Sequence, residues 1–186
     1  MDEKYTLEKK PSLAKSTLPF GIAFGIIMII ELALSLIMDF DAVNNSGIGV
    51  SMSLFNYLVL PVIFISLACN NYKNKINGGY ISFIECIKAG VSVCVVAGLL
   101  FSVASSLIYA VSPEIKTDIL EKSKVALAKT PGMTSELMQQ SLTMSEVFMR
   151  PYILIPITVI IYAFVGLIIS LIVGAIVRKE NPGAFN

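Results

Sequence analysis

The sequence predicts an all-α polytopic membrane protein, with four transmembrane helices and an extramembrane helical hairpin between the third and the fourth. Three observations predict it. Hydrophobic residues make up 55% of the 186 residues, and the mean hydropathy of +0.78 is too high for an ordinary soluble domain. Four stretches reach the roughly 20 apolar residues that a helix needs to cross about 30 Å of hydrocarbon. The long polar connection from Ser112 to Arg150 carries helix signals and no low-complexity sequence.

The expected spans are Leu18 to Met38, Val50 to Cys69, Ile84 to Val111 and Tyr152 to Val177, within one membrane domain over residues 1–186. The first is not expected to be a cleaved signal peptide. Its apolar run is too long, contains Glu31, and leads into Asp39 and Asp41 rather than a small-residue cleavage site. The third and fourth exceed the minimum length, which leaves tilt or extension beyond the bilayer open.

Basic residues resist translocation, so their placement predicts orientation. Lys4, Lys9, Lys10 and Lys15 precede the first span, Lys73 and Lys75 lie between the second and third, and Arg178 and Lys179 follow the fourth. The Asp39 to Gly49 connection has no basic residue, and the third connection balances its basic residues with Glu114, Asp118, Glu121, Glu136 and Glu146. Both termini are therefore expected on the cytoplasmic side. Asn44-Asn45-Ser46 matches a glycosylation acceptor, a pattern that also arises by chance.

Gly78-Gly79 predicts a turn, and Ser82 with Glu85 forms a capping-box sequence that starts the third span. Capping accounts for Glu85, and Lys88 one turn later is placed to snorkel to the cytoplasmic interface. On the third span Gly90, Cys94, Gly98, Ser102 and Ser106 recur every four residues, a stripe that permits close helix approach. Gly166, Ser170 and Gly174 repeat the pattern on the fourth, and Gly21 with Gly25 on the first. Packing within one chain is the expected use of these stripes, with a dimer as the alternative. Pro61 and Pro156 each remove an N–H inside a span, so local kinks are expected there.

The outer connection opens on Ser112-Pro113-Glu114, a helix start, and is broken at Thr130-Pro131-Gly132. Ile115, Ile119 and Ala126 share one face of its first half, and Leu137, Met144 and Phe148 one face of its second. These faces are expected to form the seam of the hairpin. Leu120 with Leu127, and Met138 with Leu142 and Met149, are then surplus apolar faces for a partner, the bilayer interface or the helix bundle. Met133, Met138, Met144 and Met149 raise soft-metal binding, but their spacing offers no close ligand pair and fits adaptable packing.

Glu31 is the carboxylate set deepest in any span. A charge at such depth costs about 2.5 to 3.5 kcal/mol on insertion scales, so it is expected to face inward and find a partner. Counting depth from the outer ends brings Asn56, Tyr57, Ser102 and Tyr162 to a similar level, a candidate intramembrane polar cluster. Glu31 is either a protonatable site for cation or proton movement or a neutral glutamic acid hydrogen-bonded to Tyr57 or Asn56 as interhelical glue, and the second is favoured.

The chain has no histidine, which removes the usual zinc sites, Ser/His/Asp triads and histidine relays. Cys69, Cys86 and Cys94 fall in or beside apolar stretches and read as small packing residues, with no metal-ligand spacing. No catalytic, metal or cofactor-binding residue is predicted. With 14 basic and 13 acidic residues, the near-zero net charge gives no footprint for nucleic acid.

Three segments carry a resemblance: Gly21 to Ile30, the Tyr72 to Gly90 run with its Gly78-Gly79-Tyr80-Ile81-Ser82-Phe83 core, and Val165 to Ile172 leading to Arg178-Lys179. Together they resemble a family of small bacterial membrane proteins catalogued as domain of unknown function 4199. The resemblance implies four spans and a bacterial inner membrane, and supplies no activity or functional residues. The function expected from the residues is non-enzymatic, through association with other envelope proteins or with itself. The alternative is a small transporter or channel component using Glu31.

Overall fold

A computed structural model describes residues 12–39, 41 and 43–180. Lys4, Lys9 and Lys10, used above for orientation, lie outside the described residues. Among the described residues four helices are long and apolar enough to cross a membrane: Leu13–Ile37, Gly47–Ile76, Phe83–Val111 and Pro151–Val177. The chain is an all-α polytopic membrane protein, and its only backbone pairing of β type among those residues is one bridge, Ile81 to Lys179.

Helix α1 (Leu13–Ile37) is capped by Ser12, whose side chain accepts from the Lys15 N–H. It ends at Asp39, whose φ of 49° lies in the left-handed region that a short Asp side chain tolerates. The second span starts as α2 (Ser46–Leu54), with the Asn45 side chain accepting from the Ile48 N–H. It continues through a π-helical segment, Phe55–Val59, into α3 (Leu60–Asn71) and a second π segment, Tyr72–Ile76. The disturbance expected at Pro61 takes this form: the Leu60 N–H bonds Phe55 O, five residues back, so the ladder has changed register just before the residue that has no N–H. Around Pro156 the fourth span stays a single helix.

The capping box is present. The Glu85 N–H donates to Ser82 Oγ at 3.2 Å, and the Ser82 N–H donates to Glu85 Oε2 at 2.8 Å. It opens α4 (Phe83–Val111), which runs into α5 (Pro113–Ala128) across Ser112. Helices α6 (Ser135–Phe148) and α7 (Pro151–Val177) complete the chain.

Helix α4 is the centre of the bundle, with its most extensive contacts to α7 and then to α1. The small-residue stripes are what allow this. A Cβ on Gly90 would stand 2.5 Å from Ser170 Cβ, one on Gly166 would stand 2.8 Å from Gly90 O and 2.9 Å from Cys94 Cβ, and one on Gly174 would stand 3.1 Å from Cys86 Cβ. Gly98 receives the Tyr162 ring. Gly21 and Gly25 meet a different face of α4, at Val96 and Leu100. Ser102 and Ser106 continue the α4 stripe and are buried. Lipid competes equally well for apolar surface, so this close approach of backbones, through dispersion, is the main attraction between the helices. Thr17 Oγ1, which donates to Ser92 Oγ at 3.1 Å, adds a polar link between α1 and α4.

Cys69, Cys86 and Cys94 are free thiols, all buried in this core. The glycine pair of the second connection adopts φ of 63° and 90°, a turn open to Gly without strain. It delivers the fully buried Ile81 to the end of α7, where Ile81 and Lys179 exchange both backbone hydrogen bonds at 2.9 Å. Lys73 Nζ caps the same helix end by donating to Val177 O at 2.9 Å.

Helices α5 and α6 form the expected hairpin, but its seam is not the expected one. Ile115 and Ile119 line a crevice with Leu32 and Leu36, so that face of α5 meets the carboxyl-terminal end of α1. Leu120 and Leu142, assigned above to surplus faces, line the crevice between α5 and α6, where Lys116 pairs with Glu146 at 3.6 Å. Leu137, Met144 and Phe148 are left exposed. A non-local ion pair accompanies this arrangement: Lys122 Nζ lies 2.6 Å from Asp39 and 2.8 Å from Asp118, linking α5 to the end of α1. Asn44 adds to this link, donating to Lys122 O and accepting from Lys129 Nζ. The amide in the glycosylation-like triplet is thereby a structural bond.

Candidate functional sites

The predicted polar cluster divides in the structure. Asn56, carried on the π segment, donates from Nδ2 to Glu31 Oε2 at 2.7 Å and to Met52 O at 3.0 Å. A π turn widens the helix by one residue and reorients the side chains beside it, which is how Asn56 comes to face α1. Tyr57 does not reach Glu31 through a hydrogen bond; its ring stacks on Tyr162, with centroids 5.6 Å apart. Tyr162 meets Phe24 edge-on at 6.0 Å, and Phe24 stacks on Phe64 at 5.5 Å. Ser102 is buried and donates to Leu99 O on its own helix. The five residues therefore form one hydrogen-bonded pair, an aromatic layer and a separate serine.

Glu31 does not face the bundle axis alone. It lines a crevice of about 510 Å³ between α1 and α2, walled by Ile27, Ile30, Leu34, Ile48, Met52 and Phe55, with Ser35 and Ser51 as further polar side chains. Ile30, Leu34 and Phe55 are exposed at its rim, so the crevice opens to the side of the bundle, where lipid lies. Among the described residues no cationic side chain pairs with Glu31. Among the described residues the buried Asn56 Oδ1 has no hydrogen-bond partner. Depth counting on the sequence reached Asn56, but the crevice comes from how α1 and α2 diverge and carries no local signal.

A second surface lies on α6. Leu137, Met144 and Phe148, at spacings of seven and four, form one apolar stripe. Immediately after it Arg150 donates to the Tyr152 hydroxyl at 3.0 Å, an aromatic and basic pair at the start of the fourth span.

The chain matches the family described as Protein of unknown function (DUF4199) over residues 19–179. It belongs to the DUF4199 family. No curated protein and no solved structure matches this DUF4199 member. In it the Gly78-Gly79-Tyr80-Ile81-Ser82-Phe83 segment has a definite structural use: turn, buried anchor, bridge to Lys179 and helix cap within six residues.

Proposed function

We propose that this DUF4199 member is a non-enzymatic protein of a bacterial inner membrane, with both termini cytoplasmic, that acts by associating with a membrane protein partner or a second copy of itself. The observation behind this reading is the exposed Leu137, Met144 and Phe148 stripe. The small-residue stripes that offered an alternative dimer surface are occupied within the chain. Among the described residues the α6 face, rimmed by Gln139, Gln140 and Thr143, then offers an apolar stripe outside the spans that is left exposed.

Gentle purification from native membranes tests it, comparing the intact chain with a Leu137→Ser, Met144→Ser, Phe148→Ser variant. A stoichiometric companion, or a dimer, that the intact chain retains and the variant loses supports association. The same monomer in both preparations contradicts it.

The second reading, a transporter or channel component, draws support from the lone carboxylate of Glu31. A continuous path through one copy is opposed by the buried Phe24, Phe64 and Tyr162 layer. Phe24 lies seven residues before Glu31 on α1, roughly 10 Å away at 1.5 Å per residue.

A further inference from the structure

We propose that the crevice between α1 and α2 is a binding site for a single-chain amphiphile bearing a protonated amine, with the ammonium on Glu31 and the chain against Ile30, Leu34 and Phe55. The volume of about 510 Å³ falls in the range of small-molecule sites. Its walls are almost entirely apolar, which suits an alkyl chain entering from the lipid side. Its polar chemistry is one-sided. Asn56 Nδ2 already satisfies Glu31 Oε2, while no protein donor among the described residues reaches the other carboxylate oxygen. Behind the pair, Asn56 Oδ1 is an acceptor left over.

The Ser35 and Ser51 hydroxyls can donate or accept, so the site's selectivity rests on its one formal charge: the free Glu31 carboxylate oxygen favours a donor that carries positive charge. A primary ammonium supplies both. An ammonium is a better fit than a fatty acid, whose carboxylate would face Glu31 across a low-dielectric gap. An ethanolamine phospholipid is disfavoured too, because its phosphate would have to follow the amine into the same apolar crevice. Metal ions prefer several oxygen ligands, and Glu31 is the only carboxylate lining this crevice. The ammonium pairs with the ionised carboxylate, so a proton held on Glu31 before binding leaves to solvent as the pair forms.

The experiment is a titration of the full-length protein in phosphatidylcholine nanodiscs, with methionine methyls labelled with carbon-13. Met52 lines the crevice, while Met144 lies on α6 and reports non-specific partitioning. The probes are dodecylammonium, dodecanol and dodecanoate. The proposal expects a saturable shift of the Met52 methyl with dodecylammonium, at least tenfold weaker with dodecanol and absent with dodecanoate, while Met144 stays unmoved. Glu31→Gln should weaken the dodecylammonium response at least tenfold. Ile30→Trp, which keeps Glu31 and fills the mouth of the crevice, should do the same should the glutamine variant fail to fold. Equal responses to amine and alcohol, an unchanged response in the variants, or no saturable Met52 shift would each overturn the proposal. Loss of the dodecylammonium response on adding phosphatidylethanolamine would likewise overturn the single-chain assignment in favour of the lipid headgroup.

Discussion

Asn56 reaches Glu31 across the interface of α1 with the second span, its amide nitrogen 2.7 Å from Oε2 and its oxygen buried without a partner among the described residues. The pair joins the carboxyl-terminal half of α1 to the π segment, and the change of helical register ahead of Pro61 sets Asn56 in place. Replacing Asn56 with Leu leaves the Glu31 carboxyl without its donor inside an apolar bundle. Interhelical bonds in membranes are worth about 1 kcal/mol, so a loss near that size is expected, read from the midpoint of denaturation in mixed micelles. Glu31→Gln keeps a side chain able to bond Asn56 and is expected to lose less than Glu31→Leu.

The glycine contacts predict a ranking. Gly90→Ala places a Cβ 2.5 Å from Ser170 Cβ and forces α4 and α7 apart, whereas Gly174→Ala meets Cys86 Cβ at 3.1 Å. Overpacking of this kind costs about 1 to 3 kcal/mol. Gly90→Ala should sit at the top of that range and Gly174→Ala at or below its foot. The same denaturation midpoints check the order.

Ser82→Ala removes the bond from the Glu85 N–H and the hydroxyl contact to Glu85, and N-cap losses are typically about 1 kcal/mol. Because Ile81 is bridged to Lys179 one residue earlier, the expected readout is faster amide exchange in the first turn of α4 together with Lys179.

Lys122 links α5 to the end of α1. Asp118 first, then Asp39, hold its ammonium above the ordinary 10.5, through hydrogen bonds and opposite charge. Folding favours the protonated form, so this contribution is complete below 10.5 and is lost only as pH rises through the higher folded value. Asp41 behaves in the opposite sense: the Asn44 backbone N–H, chiefly, holds it below its ordinary 3.8. Its contribution is present above 3.8 and is lost as pH falls through the lower folded value. Amide protection in α5, corrected for intrinsic exchange, should therefore be flat between about pH 5 and 9. Lys122→Ala should lower it there while leaving α4 unchanged.

Local patterns were legible in the sequence wherever neighbours within one helix decided them. Ser82 and Glu85 meet because residues three apart on a first turn always do. The Gly90, Cys94 and Gly98 stripe was legible for the same reason, and its partners Ser170, Gly166 and Tyr162 carry the matching stripe or neighbour it. Glu31 and Asn56 were both visible from depth, but the choice of Asn56 over Tyr57 depended on a π turn whose register depends on tertiary packing as well as on Pro61. The hairpin seam was misassigned for a comparable reason. Ile115 and Leu120 both present reasonable apolar faces, and the one that meets α1 does so through tertiary contacts, including Lys122 to Asp39, 83 residues away in sequence. The Ile81 bridge to Lys179 likewise joins segments with no local signal for pairing.

A cysteine at Asn45 should react with an impermeant thiol reagent in intact cells, and one at Asn77 should not. The three native cysteines are buried, so background labelling is low. Protection at Asn45 with labelling at Asn77 would reverse the proposed orientation.

The most direct test of association places a photo-crosslinking side chain at Met144, centred on the exposed α6 stripe, and irradiates cells before membranes are opened. The account predicts a discrete protein adduct at Met144, either with another protein or with a second copy of this chain, and none from a control position at Lys124 on α5. Adducts to lipid alone, or the same faint pattern from both positions, would contradict it.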